Sequence, residues 1–559
     1  MKRIIKNTIL TVLVALAAVS CGKFLEEHPA TQFSRDQAYA TDESAQATVN
    51  ACYAYLSNYR LYGQKLQIVL CGSAGTMSIG NTTSQYLVDL SSLDIQTNNS
   101  AVEDVYMGSY QTINAINDVL LNLPEHETVS EATRTRLLGE CHFLRAVVYF
   151  NLVRMLGPVP YVDTPATSIE GAHKKRAPIS EIYELILSDL NDAWEMMAEP
   201  GSQPKGRPHK WAARAYLAKV YVALACIKEH PDDPFDASWI EESAQALWQK
   251  AYDESKAVWT DGGYSLESNF ADIWKWDNKY CKESIFELEE NKVTGSCSFM
   301  YHYLPGYWEG VPLTSSSNNY GRIRALRESW DLHHDTYPGD WRMDVTYIDS
   351  LYYRNTATSS NPGKLYYTYP YTMDNIPAGA SASDLSTSEE LPYIKKYVDP
   401  NFTATDANVN VIVLRLADVL LTLAESANEI GKTSEAIQYV NRLLLRARKT
   451  DEGIRTVPAD WPLTLSQAEV RDRIMNERLI ELKAEFTEWF DNRRRGTDHM
   501  LDIMTIHNNR ITGLSKNSTY DYFFTLTREN ARKNLLLPFP LAEISTNNNI
   551  TEADQNLYY

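Results

Sequence analysis

Apolar residues recur at spacings of three and four over long stretches, and this periodicity restricts the chain to a mostly helical fold. Ile182, Leu185, Ile186, Leu190, Ala193, Trp194 and Met197 fall on one helical face, with Ser180 at a cap position before them. Tyr216, Leu217, Val220, Tyr221 and Leu224 make a second stripe after Pro208. Leu416, Val419, Leu420, Leu423, Ala424, Ala427 and Ile430 make a third, stopped by Gly431. Leu479, Leu482, Phe486 and Trp489 predict a fourth helix, and Phe143, Val147 and Phe150 another that ends before Gly157-Pro158.

The stretch Arg415–Arg448 reads as a helix–turn–helix unit. Ala424, Gly431 and Ala436 are small enough to let its two helices approach closely, and the unit resembles a tetratricopeptide repeat. Segments 178–197 and 208–228 form a second candidate pair. Such pairs stack into solenoids. The expected fold is therefore mostly α, with tetratricopeptide-like hairpins forming a solenoid scaffold over about 101–260 and 403–500. Between them, about 261–400 is rich in Tyr, Gly, Pro, Ser and Asn and has no sustained helical period. It holds too many aromatics for a disordered segment, so it is expected to be an irregular, aromatic-rich, ligand-facing subdomain lying on the scaffold. No linker divides residues 21–559 into independent domains.

The N-terminus carries an address. Lys2, Arg3 and Lys6 precede an apolar run from Ile9 to Val19, and small residues lead to Cys21. This is the layout of a secretory signal. The run is about half of the ~20 apolar residues that span a bilayer. Ala18-Val19-Ser20-Cys21 resembles a bacterial lipobox, so residues 1–20 are expected to be removed and Cys21 to be lipidated. Plain signal cleavage, giving a soluble periplasmic chain, is the alternative. None of the other six cysteines (Cys52, Cys71, Cys141, Cys226, Cys281, Cys297) forms a C-x-x-C pair. Cys141 and Cys226 lie in helical patterns and are expected to be buried as small apolar groups.

Charge narrows the partners. Removal of Lys2, Arg3 and Lys6 with the signal takes the 53 cations to 50 against 72 acids, a net charge of −22. Such a field repels nucleic acid and leaves neutral ligands unaffected. Tyr outnumbers Phe by 35 to 14, and there are 12 Trp, a surplus of rings suited to partly wet surfaces.

Ordered blocks along the chain then resemble one family. They run from Cys21-Gly22-Lys23-Phe24-Leu25-Glu26 through GECHFLRAVVYFNLVRMLGPVPYV (139–162), EIYELILSDLNDAW (181–194) and GRPHKWAARAYLAKVYVALA (206–225). Glu283-Ser284-Ile285-Phe286-Glu287, Asp340-Trp341-Arg342, LRLADVLLTLAESANEIG (414–431) and ERLIELKAEFTEWFDNRRRG (477–496) follow. The end is Leu537-Pro538-Phe539-Pro540 through Gln555-Asn556-Leu557-Tyr558. The chain resembles the SusD/RagB-like family of outer-membrane nutrient-binding lipoproteins over Cys21–Tyr559. That resemblance implies a lipid-anchored, outward-facing protein that captures an oligosaccharide, or in some branches a peptide. It also implies delivery to a TonB-dependent, SusC-like transporter whose extracellular lid the protein forms, with no covalent chemistry and no cofactor. The loop after Cys71 carries Tyr86 but no Trp, which argues against a starch-like ligand.

Three groups of residues are candidates for function. Glu477, Glu481 and Asp491 could supply the paired carboxylates of a helical glycoside hydrolase. Arg478, Arg493 and Arg494 alongside them favour structural ion pairs at helical spacing. His333-His334-Asp335 offers two adjacent imidazoles with no ligand at metal spacing, and both histidines are expected at the surface, with no metal. The remaining group is aromatic. Trp274 and Trp330 are expected in the core. Tyr86, Tyr307, Trp308 and Tyr320 lie in irregular polar neighbourhoods where a ring can stack on the C–H face of a pyranose. Asn318, Asn319 and Ser73 are expected to hydrogen-bond its hydroxyls. No catalytic residue is assigned.

Overall fold

Several helix starts in this chain are set by side-chain caps, which satisfy amide groups that have no partner in the first turn. Thr41 and Ser44 form a capping box at α1 (Asp42–Leu56). After α2 (Lys65–Gly72) and α3 (Gln85–Ser91), Asn99 accepts from the Ala101 and Val102 amides to start α4 (Ser100–Asn122). Ser130 starts α5 (Glu131–Leu156), which Gly157 ends at φ 69°. Then come α6 (Ile179–Met196), α7 (Trp211–Glu229), α8 (Ala244–Asp261) and α9 (Arg327–Thr336). The second half holds α10 (Leu416–Glu429), α11 (Thr433–Ala447), α12 (Gln467–Glu481), α13 (Glu488–Arg494) and α14 (Gly496–Ile511). The computed structural model describes residues 35–80, 84–290, 300–305, 321–352, 365–369, 391–400, 407–512 and 522–559.

The architecture is mostly helical with little strand. Neighbouring helices pack in sequence: α4 on α5, α5 on α6, α6 on α7, α7 on α8, α8 on α10, and α10 on both α11 and α12. The first three stripes lie within single helices and face the core. In α6, Ile182, Ile186, Leu190 and Ala193 are buried, and Trp194 at its end packs edge-on against Trp211 at 4.9 Å. The α10–α11 hairpin turns at Gly431 with φ 82°. Cys141 and Cys226 are both buried.

The fourth stripe is not one helix. Helix α12 ends at Glu481, and Ala484 and Phe486 take left-handed φ values of 63° and 67° before α13 begins. Tertiary polar contacts hold this turn. Tyr397 Oη donates to the Ala484 carbonyl at 2.7 Å, and the Ala484 amide donates to Glu488 at 2.8 Å. These contacts override a continuous apolar spacing, as tertiary structure commonly does with local propensity.

The turn sits in a buried ion network. Arg342 contacts Asp340, Glu477 and Glu481 at 2.7–2.8 Å, and Arg415 reaches Glu283, Glu481 and Glu485 at 2.6–2.8 Å. Arg446 also pairs with Glu481, while Arg478 bridges Asp418 and Asp491. Side chains here are at most 8 % exposed, so the pairs are screened little by salt. Burial pushes the Glu481 carboxyl up, but Arg446, Arg415 and Arg342 outweigh it and hold its pKa well below the carboxylate range. Burial opposes ionisation of Asp340 too, yet Arg342 and His333 bring its pKa down to about 2.

Short strands complete the frame: β1 (Met77–Ile79), β2 (Val159–Pro160), β3 (Arg176–Ala177), β4 (Ser284–Leu288), β5 (Ile323–Ala325), β6 (Tyr347–Ile348), β7 (Tyr393–Ile394) and β8 (Val411–Arg415). Strand β4 pairs antiparallel with β8, and β2 with β3. A four-stranded antiparallel sheet runs in the order β1-β5-β7-β6. It therefore joins the N-terminal part of the chain to three strands from the central region.

Candidate functional site

The sheet brings the chain that leads to Tyr86 beside the chain that follows residue 320. β1 lies beside β5 with Met77 opposite Ala325 and Ile79 opposite Ile323, and the Gly80 amide donates to the Arg322 carbonyl at 3.0 Å. The chain that leaves β1 toward Tyr86 thus starts against the chain that enters β5 from residues 306–320. The other end of that stretch is tied to the same unit. His302 Nε2 lies 2.6 Å from Gln64 Nε2, and Tyr303 Oη lies 3.4 Å from Cys71 Sγ, next to and within α2. Both ends of 306–320 are consequently fixed to the α2–β1 unit. Burial, with Arg322 and Lys65 nearby, pushes the His302 pKa down to about 3, so this ring is neutral at physiological pH.

Gly321 is required at the junction. Its φ is 52°, and a Cβ there would lie 2.5 Å from Cε1 of the Tyr393 ring. Arg324 covers the same ring, its guanidinium carbon 3.6 Å from the centroid and one N–H donating to Tyr393 Oη at 2.5 Å. Another of its N–H groups donates to the Gly321 carbonyl at 2.9 Å.

Tyr86 is half-buried at the start of α3. The Asn99 amide that caps α4 also donates to the Tyr86 carbonyl at 2.9 Å, which fixes α3 to the head of α4. Lys65 Nζ lies 4.5 Å from the Tyr86 ring centroid and 3.5 Å from Asp104. Burial works against the Lys65 charge, but Tyr59, Tyr86 and Asp104 outweigh it and keep its pKa above the ordinary lysine value. One face of the Tyr86 ring is thus occupied by a permanent cation. Lys65 and Asn99 are the positioning residues that sequence reasoning missed. Neither belongs to a recognisable motif, and their roles arise only once α2, α3 and α4 are brought together.

The unit is also fixed from below. Ser329 Oγ donates to the Thr76 carbonyl at 2.6 Å, Lys483 Nζ to the same carbonyl at 3.2 Å, and Asn492 Nδ2 to the Ala74 carbonyl at 2.8 Å. Thr76 Oγ1 donates to Glu488 at 2.5 Å. The loop before β1 is therefore held by α9, the α12–α13 turn and α13.

Of the expected site residues, Tyr86 stands where α2, α3 and β1 meet, the ledge of this site. Ser73 lies beneath it, 1 % exposed at the C-cap of α2, and is not at the surface where a ligand hydroxyl could meet it. Tyr307, Trp308, Asn318, Asn319 and Tyr320 lie outside the described residues, as does Cys21. Trp274 and Trp330 are buried in the core. Trp341 is half-buried with its N–H donating to the Ala447 carbonyl at 2.5 Å.

The histidine expectation needs correction. His334 is exposed and stacks on Trp330 at 4.8 Å, but His333 is fully buried with Nε2 3.1 Å from Asp340. Its place on the inner face of α9 ties it to the ion network. Glu477, Glu481 and Asp491, the carboxylates of a possible hydrolase, are each at most 5 % exposed and engaged by arginines. A substrate has no access to them.

Comparison with known proteins agrees with this fold. A family model described as "Starch-binding associating with outer membrane" matches residues 23–222, and one described as "SusD family" matches residues 283–559. The chain belongs to the SusD family. Among SusD-like relatives, protein P2 of Formosa agariphila is 27 % identical over 98 % of each chain. A SusD homolog from Bacteroides thetaiotaomicron superposes with a TM-score of 0.74 over 93 % of this chain and 97 % of its own, at 19 % identity. A laminarin-binding SusD-like protein superposes at 0.64 over 92 % and 99 %, at 21 % identity. The SusD fold thus spans nearly the whole chain, and the family is one that associates with the outer membrane.

Proposed function

We propose that this SusD-family protein captures neutral oligosaccharides at the outer face of the outer membrane and passes them to a TonB-dependent transporter. Cys21 carries the lipid that tethers it. Tyr86, Tyr307, Trp308 and Tyr320 stack on the sugar, Asn318 and Asn319 hydrogen-bond its hydroxyls, and the protein acts as the transporter's lid. The reading is one of binding, without covalent chemistry.

The observation that carries this reading is the attachment of both ends of 306–320 to the unit that presents Tyr86. Residues 302–303 and 322, which flank that stretch, thereby meet the unit that carries Tyr86, more than 200 positions earlier in the sequence. Lys65 behind the Tyr86 ring limits sugar stacking to the opposite face, a one-sided platform that suits a flat pyranose. The net charge of −22 for the chain after Ser20 neither attracts nor repels a neutral sugar. A saccharide ligand is supported by the similarity in fold to a laminarin-binding SusD-like protein.

Alanine at Trp308 and Tyr320 together tests the reading. Titration against laminari-, xylogluco- and malto-oligosaccharides is expected to show at least tenfold weaker binding of the preferred sugar, with an unchanged melting temperature. Unchanged affinity would remove these rings from the site.

A further inference from the structure

Helix α4 presents a second face that the ledge does not use. Its core residues, among them Val105, Thr112, Ile113 and Ile116, are buried. Glu103, Met107, Tyr110 and Asn114, spaced by four, three and four, line an open cleft of about 930 Å³. At 1.5 Å per residue this stripe is about 16 Å long. Residues 164–167 of the segment after β2 and residues 542–543 near the C-terminus form the facing walls. The volume is at the upper end of the ~300–1,000 Å³ range of small-molecule sites. None of the lining residues belongs to the α2–α3–β1 ledge.

The lining has mixed chemistry. Tyr55 is 40 % exposed and Met107 38 % exposed, so each offers apolar area to the cleft. Tyr106 anchors the floor, packed at 4.8 Å on Tyr110 and 5.3 Å on Phe539. Among the described residues, no side-chain hydrogen bond or ion pair engages the carboxylate of Glu103 or the amide of Asn114. An ionised carboxylate accepts from two hydroxyls at once, and an amide side chain both donates and accepts. Lys174 and Glu543 add one charge of each sign, so the cleft has no strong single-sign field to select an ion.

An extended peptide is a poorer fit. A peptide commonly binds by pairing with open backbone groups at a strand edge. Here the carbonyl of Pro160 already accepts from Tyr110 Oη at 2.7 Å. The carbonyl of Val162 accepts from Asn117 at 2.9 Å, and its amide donates to Tyr149 Oη at 2.8 Å. Side chains already engage these groups, which leaves fewer of them open to a peptide.

We propose that the cleft between α4, residues 164–167 and residues 542–543 is a second binding site of this protein, for a neutral oligosaccharide. The proposal does not depend on the ledge. Rings at Tyr55 and Tyr110 supply stacking surfaces, and Glu103 and Asn114 engage neighbouring hydroxyls.

Saturation-transfer difference NMR on the full-length chain tests it, with laminari-, xylogluco- and malto-oligosaccharides as one fixed panel and a casein digest as the peptide control. In a Trp308→Ala/Tyr320→Ala background, at least one sugar is expected to keep a signal. Addition of Tyr55→Ala and Asn114→Ala, both at exposed positions, is expected to weaken that binding at least fivefold at an unchanged melting temperature. Three results would overturn the proposal: no panel sugar bound, residual binding indifferent to the cleft variants, or signal from the peptides alone. Loss of all binding on the cleft variants, with none on the ledge variants, would instead leave the cleft standing and reject the ledge.

Discussion

One missing side chain fixes the junction between the sheet and the segment that carries most of the expected binding rings. Gly321 combines a left-handed φ with a ring packed where its Cβ would be. Gly321→Ala is expected to cost about 1–3 kcal/mol, the usual scale of left-handed strain in a non-glycine residue. Chemical denaturation would read this loss, together with weaker sugar binding. The sequence carries no sign of this constraint, because Tyr393 is 72 positions away. Tyr86 could be chosen from its polar, irregular surroundings, and it stands on the ledge. Ser73 shared those surroundings but sits beneath them, since α2 is buried on every side. His333 looked like half of a surface pair until the inner face of α9 was seen to meet Asp340.

Among elements, the α12–α13 turn links scaffold and ledge. It places Glu481, Glu485 and Glu488 on opposite sides of one bend, with Arg415 and Arg446 behind it and Thr76 in front. Arg415→Ala removes a buried cation shared by Glu283, Glu481 and Glu485, leaving them only Arg342, Arg446 and Lys396, and is expected to cost about 3–5 kcal/mol, read by denaturant titration. Stability also has a predictable acid limit. Glu481 and Asp340 have folded pKa values below their ordinary 4.5 and 3.8. Between the folded and ordinary values the unfolded chain binds more protons, so their stabilisation is complete above about pH 4.5 and is lost as pH falls toward 2. Glu481→Gln should therefore flatten the fall of melting temperature over that interval. An equally steep fall in the variant would show that Glu481 does not contribute it. Helices α6, α7 and α10 were legible from spacing because their partners bury one continuous stripe. The break after Glu481 was not, because residues from elsewhere in the chain impose it.

On the scale of the molecule, the helical frame and the lipid address have separate roles. Cys21→Ser is expected to abolish incorporation of labelled palmitate and to move the chain from the membrane fraction to the soluble one, without altering sugar affinity. Retained membrane association would point to a tether other than Cys21. The mostly helical class and the family were legible from ordered blocks along the whole chain, whereas the α4 cleft was not. Its residues come from α4 and two segments more than 300 positions apart, and no local pattern records their meeting. In the proposed function one ledge, joined to the chain on both sides of 306–320, receives the sugar. Hydrogen–deuterium exchange of the full-length chain tests it most directly, with and without the oligosaccharide that binds best. Slowed exchange is expected in residues 80–91 and 306–325. Exchange unchanged in both segments at saturating sugar would contradict it.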